Sequence, residues 1–287
     1  MSGRKLYSES EAIALGNNRP NEVRRRQVLR ETIQAFERAN PPDRYHRLAM
    51  ENLTRWRAKR GEVELGLRVT VLPGDWGDVT LSLTRAHGAC FAVLNMANEW
   101  VPGGAYTEGA AAQEENMFRR TDCHFRITDE EYDADLDAYR PRMTRLLWAS
   151  DGVVYLDTKR PRVCIRGSED QSATDLGYPW LPENRVFPFF ELRAAAQDLR
   201  DGSAFDPDEA RQRISAQLDT LINHGIRHCV LGAFGCGAFM NPADRVARIY
   251  RDEITARRNA FTVVAFAIYS AGYGPDNYPV FAKAFHP

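Results

Sequence analysis

The run Val93-Leu-Asn-Met-Ala-Asn-Glu-Trp-Val-Pro-Gly-Gly-Ala-Tyr-Thr-Glu-Gly-Ala-Ala-Ala-Gln-Glu-Glu115 constrains this chain more than any other segment. It reads as an apolar strand, a glycine loop and the acidic opening of a helix. Gly103 and Gly104 let the backbone approach a ligand closely, and the N–H groups that open a helix favour negative charge. Gln113, Glu114 and Glu115 then fall where a phosphosugar would lie, so the order of elements suits a nucleotide site.

The hydrophobic period around this run predicts an α/β fold. Residues 90–94, 229–232 and 262–268 are continuous apolar stretches, as expected of central strands covered on both faces. Residues 67–72 and 79–83 alternate and are joined by a Pro-Gly-Asp-Trp-Gly-Asp turn, which predicts an antiparallel pair at a sheet edge. Residues 153–156 and 163–165 read as short strands, and 186–190 as an apolar segment that Pro188 keeps from a central paired position. Helical patterns over 110–120, 208–222 and 242–256 lie between the strands, giving a three-layer α/β/α sandwich.

Residues 1–66 read differently. Val28, Leu29, Ile33 and Phe36 recur at helical spacing until Asn40-Pro41-Pro42, and Ala49, Leu53 and Trp56 line a second helix that ends by Gly61. We therefore expect a helical N-terminal extension over 1–66 packed on a core of residues 67–287. The extension carries fourteen Lys and Arg against nine Asp and Glu, densest at Arg24-Arg25-Arg26 and across 55–60. Such a surface could attract an anionic polymer, but charge runs on helices usually face water, and a solvated face is the expected reading.

Composition narrows the function by exclusion. A formal charge of −1 argues against a protein whose main task is coating nucleic acid or anionic membrane. No apolar run approaches the roughly 20 residues that span a bilayer, so the chain reads as soluble, intracellular and cytoplasmic. The five cysteines are irregularly spaced with no CxxC pair, which indicates neither a disulfide framework nor a zinc site. Cys123-His124 and His228-Cys229 are weak candidates for thiol–imidazole pairs, because sequence neighbours rarely point at each other.

The glycine loop and the Gln-Glu-Glu triplet resemble the signature of the bacterial-type poly(ADP-ribose) glycohydrolases, a catalytic branch of the macrodomain superfamily. That family's pattern is three glycines, six to eight residues, then Gln-Glu-Glu. Here Gly103-Gly104-Ala105 is followed by seven residues and Gln113-Glu114-Glu115, with Ala105 in place of the third glycine. A second stretch, Val230-Leu-Gly-Ala-Phe-Gly-Cys-Gly-Ala-Phe-Met-Asn-Pro242, resembles the family's diphosphate-binding loop. The resemblance runs from about residue 67 to the C-terminus and implies a macrodomain-like sandwich with a mixed sheet.

Adjacent residues on a helix diverge by about a hundred degrees. Glu114 and Glu115 therefore cannot face each other across one bond at about 5–9.5 Å, as the carboxylates of ordinary glycosidases do. They must have different tasks. The resemblance implies that Glu115 is the general acid at the ribose–ribose bond and that Glu114 positions ribose hydroxyls. It further implies ADP-ribose contacts at Asn98, Gly103, Gly104, Ala105 and Gln113, with the diphosphate on the backbone of 103–105 and of Gly235, Cys236, Gly237, Ala238 and Phe239. A third glycine serves either positive φ or close backbone contact, so the Ala105 methyl is expected to alter specificity. Phe239, and less so Phe234, could stack on adenine or sit in the core. Asn98 is a better ligand than Asn95, since amides at strand C-termini line clefts in α/β sheets. The tyrosines of 269–278 are pocket walls or loop anchors.

The implied activity is hydrolysis of ADP-ribose glycosidic linkages by a monomer. The partner would be poly(ADP-ribose) or an ADP-ribosylated macromolecule, the product ADP-ribose, with no metal or organic cofactor and no membrane. Two other functions fit the same residues: a non-catalytic ADP-ribose reader, and a hydrolase of mono-ADP-ribosylated protein, nucleic acid or small esters.

Overall fold

The computed structural model describes residues 3–14, 16–17, 19–61, 66–270 and 274–285. Among these, helices α1 (Glu9–Ala14), α2 (Pro20–Glu37) and α3 (Arg44–Lys59) precede strand β1 (Arg68–Pro73), α4 (Trp76–His87), β2 (Ala92–Met96) and α5 (Gln113–Arg120). A small hairpin of β3 (Tyr132–Asp133) and β4 (Ala138–Tyr139) and helix α6 (Pro141–Leu147) follow. The remainder is β5 (Tyr155–Cys164), β6 (Phe187–Ala194), α7 (Pro207–Asn223), β7 (His228–Leu231), α8 (Ala243–Ala256), β8 (Val263–Ile268) and α9 (Tyr278–Phe285). No helix of the described residues is long and apolar enough to cross a membrane.

Six strands form one mixed sheet in the order β1-β8-β7-β2-β6-β5. All neighbours run parallel except β5, which is antiparallel to β6 at one edge. Because successive strand residues point to opposite faces, the apolar runs feed two cores. Leu94, Leu231 and Phe266 pack with Leu218 of α7, Tyr250 of α8 and Phe281 of α9. On the other face, Val93, Val230 and Ala265 pack with Ile33 of α2, Trp76 of α4 and Phe118 of α5. The expected three layers are present, and α2 and α3 pack onto the sheet and its helices.

The strand reading of residues 79–83 is wrong. They lie inside α4, which Asp75 caps by accepting from the N–H groups of Gly77 and Asp78 and which Gly88, left-handed at φ 58°, ends. Val79 and Leu83 are four apart and satisfy a helical face as well as an alternating one, so the cap decides. β1 is an edge strand as expected, but it pairs parallel with β8. The two short strands around 153–165 are one strand with a register shift between Asp157 and Arg162.

Pro188 lies in β6, which is central between β2 and β5. The N–H of Phe190 donates to Phe91 on the β2 side at 2.9 Å, and the nitrogen of Pro188, two residues earlier, points the same way. The β2 ladder begins only at Ala92 opposite Phe190, so Pro188 forfeits no ladder bond.

The first basic run is neither a polymer-binding surface nor a solvated face. Arg25 and Arg26 are buried. Arg25 meets Glu169 at 2.6 Å, and Arg26 donates to the carbonyls of Asn17 at 2.6 Å and Glu108 at 3.1 Å. A guanidinium carries five donors in a planar fork, which lets one side chain tie α2 to several loop carbonyls. The second run keeps the solvated reading, with Arg55, Arg57, Lys59 and Arg60 exposed.

Burial pushes the Glu169 carboxyl up, but hydrogen bonds from Arg25 and Tyr178 outweigh it and hold the group below the ordinary glutamate range. A depressed folded pKa stabilises the protein above the unfolded value of about 4.3 and is lost as pH falls through the folded value. Arg25→Met should therefore cost about 3 kcal/mol at pH 7 by leaving Glu169 buried without its partner. Urea unfolding across pH should show this deficit shrinking as pH falls below about 4.3 and through the lowered folded value of Glu169, beneath which the group is neutral in either protein.

Candidate active site

The site lies where two neighbouring strands part. β2 and β7 pair only over Ala92–Val93 with Cys229–Val230. Beyond that point the chain leaving β2 runs to α5 on one face of the sheet, and the chain leaving β7 runs to α8 on the other. Divergence of parallel neighbours opens a crevice at their carboxyl ends. Gln113 closes the floor of it. Its side-chain amide donates to Leu94 O at 2.9 Å, and its carbonyl accepts from Met96 N–H at 3.0 Å. These are ladder positions that β7 has left, so both polar ends of Gln113 dock α5 on β2.

α5 thereby carries Glu114 and Glu115 into the crevice, 2 % and 8 % exposed. Glu114 accepts at both oxygens: Oε2 from Asn98 N–H at 2.6 Å, and Oε1 from Gly103 N–H at 3.1 Å and Asn95 Nδ2 at 3.5 Å. Glu115 Oε1 accepts from Ala105 N–H at 3.1 Å, while its Oε2 is buried with no hydrogen-bond partner among the described residues. Gly103 and Gly104 have φ of 77° and 55°. A Cβ on Gly103 would strike the Tyr106 ring, and one on Gly104 would land on the Glu115 carboxyl, so the loop covers the pair only as glycine. Ala105 lies outside the positive-φ region, and its backbone therefore has no need of glycine.

Burial pushes both carboxyl groups above the ordinary glutamate range, and at Glu114 the charge of Glu115 adds to it. The N–H donors oppose this rise unequally. Glu114, with donors on both oxygens, has the surroundings of a carboxylate. An ionised Glu115 would leave Oε2 buried and unsolvated, which favours a proton on that oxygen.

Beneath Glu114 lies a charge network that sequence reasoning missed. Asn95, fully buried, donates to Glu191 Oε1 at 2.9 Å as well as approaching Glu114. Glu191 meets Arg193 and Arg162, both at 2.8 Å and all three fully buried. Burial raises the Glu191 carboxyl, but Arg193 and Arg162 overcome that and hold it at about 2. A signal existed: Glu191 and Arg193, two apart on one strand, share a face of an otherwise apolar segment. Asn95, not Asn98, brings its side chain to the pair. The Asn98 side-chain oxygen Oδ1 instead accepts from Trp100 N–H at 2.8 Å and Val101 N–H at 2.9 Å, turning the loop.

The second glycine loop leaves β7 and folds around Asn241, whose Nδ2 donates to Gln197 O at 2.7 Å, Phe239 O at 3.1 Å and Gly235 O at 3.2 Å. Gly235 has φ 73°. Cys236 is buried and gives its N–H to Ala233 O at 2.9 Å. The N–H groups of Gly235, Gly237, Ala238 and Phe239 donate to no backbone carbonyl among the described residues, and Gly237 and Ala238 are exposed. Those free donors suit an anion. The first loop differs: Gly103 and Ala105 give their N–H groups to the glutamates, and Gly104 gives its own to Val101 O at 3.1 Å. Residues 103–105 thus hold the carboxyl pair and have no N–H left for a diphosphate.

Phe234 is buried in the core and unavailable for stacking, whereas Phe239 is half-buried with the Arg200 guanidinium 5.1 Å from its ring centre. Neither thiol–imidazole pair forms. Burial drives the Cys123 and Cys229 thiols up and lowers His124 and His228 to about 4, and His124 Nδ1 meets Tyr106 OH at 2.9 Å. Of the C-terminal tyrosines, Tyr269 is exposed, Tyr278 opens α9 and packs against the core, and Tyr273 lies outside the described residues.

Fold and site define an α/β/α protein with a buried glutamate pair at the carboxyl ends of two diverging parallel strands. The microbial-type PARG catalytic-domain family matches residues 4–157. The chain belongs to that family. Among solved structures it is similar to poly(ADP-ribose) glycohydrolase from Thermomonospora curvata, at 22 % identity over 91 % of this chain and 99 % of that one, with a TM-score of 0.62. The same enzyme bound to the inhibitor ADP-HPD matches at 22 % identity over 90 % and 98 %, with a TM-score of 0.61. The Deinococcus radiodurans glycohydrolase in complex with ADP-ribose matches at 23 % over 85 % and 92 %, with a TM-score of 0.54. No curated protein sequence matches the chain.

The Glu115 environment has a consequence that needs no substrate. A carboxyl whose folded pKa is raised destabilises the fold once pH exceeds its unfolded value of about 4.3. Glu115→Gln should therefore melt above the wild type at pH 8, and the difference should close as pH falls to about 4, where the acid is protonated in both states. Thermal melts of both proteins across that range check it.

Proposed function

We propose that the protein hydrolyses the ribose–ribose glycosidic bonds of poly(ADP-ribose), releasing ADP-ribose, with Glu115 as general acid and base. The observation that carries this reading is the division of the carboxyl pair: Glu114 has donors on both oxygens, while Glu115 keeps one buried oxygen unpartnered among the described residues. Family membership and the glycohydrolases of the same fold support the substrate class.

In the proposed reaction the free N–H groups of the 235–239 loop hold the diphosphate of one ADP-ribose unit. Glu114, fixed by Asn95, Asn98 and Gly103, accepts from a ribose hydroxyl of that unit. Glu115 gives its proton to the departing ribose oxygen as the C–O bond breaks, leaving an oxocarbenium-like ribose beside the diphosphate charge. Water adds to that carbon and returns a proton to Glu115, so the enzyme is restored and one water is consumed per bond.

Glu115→Gln should lower turnover of labelled polymer at least about a hundredfold while calorimetric affinity for ADP-ribose holds within a few-fold. Near wild-type turnover in that variant would place the proton elsewhere. Release of ADP-ribose from mono-ADP-ribosylated protein or nucleic acid but not from polymer would move the substrate class, and binding without any release would make the protein a reader.

At Ala105 only the steric role of the absent glycine remains, since the backbone angle is ordinary. If the methyl group crowds the distal ribose, Ala105→Gly should raise polymer turnover more than it changes ADP-ribose affinity, because a free monomer can shift where an aligned bond cannot. Equal rates in both proteins would mean that the site accommodates the methyl.

A further inference from the structure

We infer that Arg4 is a positioning residue for Glu115, acting through the one peptide unit that joins Gly104 to Ala105. The inference rests on the glycohydrolase reading for its rate effect, though not for its geometry. Arg4 is 5 % exposed and a hundred residues from the loop it meets. Its Nε and Nη2 each meet an Asp137 oxygen at 2.7 Å, which fixes the plane of the guanidinium. Asp137 is itself held by Tyr132 OH at 2.6 Å. The remaining nitrogen, Nη1, donates to Gly104 O at 2.5 Å and reaches Pro102 O at 3.5 Å.

The other end of the Gly104–Ala105 peptide is the N–H that donates to Glu115 Oε1. Arg4, the peptide and Glu115 thus form a line of two hydrogen bonds through one planar amide. Donation to the carbonyl polarises the amide and strengthens its N–H as a donor. It also stops the peptide from turning. Gly104, on its N-terminal side, and Gly103 before that both have unusually free torsions, so without an anchor the N–H could swing away from the carboxyl.

The charged and titratable groups around this line are few. Glu114 and Arg119 on α5 and Glu108 on the loop act on Glu115. Asp137, Tyr106 and Glu108 face Arg4, and His124, lowered to about 4 by burial and by Arg4, is neutral above that pH. An N–H donor favours the charged carboxylate, so losing its alignment moves the Glu115 titration upward.

The test uses the full chain with Arg4→Ala and Arg4→Lys. Lysine keeps the charge beside Asp137 but cannot span two partners with a planar fork. We expect both variants to lower kcat on poly(ADP-ribose) by about tenfold or more, within the scale of a misplaced reacting group. Calorimetric affinity for ADP-ribose should stay within about threefold, because the second loop is untouched. The alkaline limb of kcat/KM and the Glu115 midpoint read by carbon-13 NMR should both move to higher pH, with Arg4→Lys recovering the melting temperature and not the rate. An unchanged Glu115 midpoint overturns the inference. So does full recovery of rate together with melting temperature in Arg4→Lys, which would make Arg4 only an anchor for the N-terminal segment. If the wild type releases nothing from the polymer, the glycohydrolase reading fails alone, and the NMR midpoint still decides the role of Arg4.

Discussion

Two adjacent carboxyl groups buried at the end of one strand are the costly feature around which the rest of the site is arranged. Burial without donors would leave both neutral, or would keep the helix that carries them from docking. Three devices prevent this. The side chain of Gln113 substitutes for a missing strand neighbour and seats α5. The loop of residues 98–105 turns its N–H groups inward, which Gly103 and Gly104 allow through positive φ. Asn95 then links Glu114 to Glu191, whose own charge is balanced by Arg193 and Arg162. The loop and Asn95 give Glu114 more donors than Glu115, and that inequality leaves Glu115 Oε2 as the unpartnered oxygen of the pair among the described residues.

The helices before β1 belong to the same arrangement. Arg25 and Arg26 of α2 donate to the carbonyls of Gly109 and Glu108, and the segment before α1 sends Arg4 to Gly104. A loop rich in glycine has carbonyls facing outward once its N–H groups face in, and those carbonyls need donors. Arginine meets the need because one planar fork serves several acceptors without losing its charge. The result is a loop held on both sides, by carboxylates within and guanidinium groups without.

Much of this was legible in the sequence, and what escaped did so for identifiable reasons. The apolar runs at 90–94, 229–232 and 262–268 marked β2, β7 and β8, since unbroken apolar stretches of that length suit a strand covered on both faces. Residues 79–83 misled because apolar positions four apart satisfy both periods, and the Asp75 cap that settles the matter lies outside the alternating stretch. Pro188 misled because a missing N–H matters only where a partner strand exists. The glutamate pair and both glycine loops stood out by type and spacing, but the partners that set their protonation did not. Arg4 lies a hundred residues from Gly104, and no local pattern announces a contact of that kind.

The two glycine loops divide the work in a way that their shared composition conceals. Read as sequence, both suit an anion nest. The first has spent its N–H groups on the glutamate pair and on Val101 O and is full. The second wraps its carbonyls around Asn241 and leaves the N–H groups of Gly235, Gly237, Ala238 and Phe239 unspent among the described residues. A diphosphate set against the first loop would compete with Glu114 and Glu115 for the same donors and would add charge beside buried carboxyl groups. Set against the second, it meets donors that no backbone carbonyl claims. The free N–H count, and not the glycine count, distinguishes a loop with donors to offer an anion from one whose donors are already taken by its own carboxyl pair.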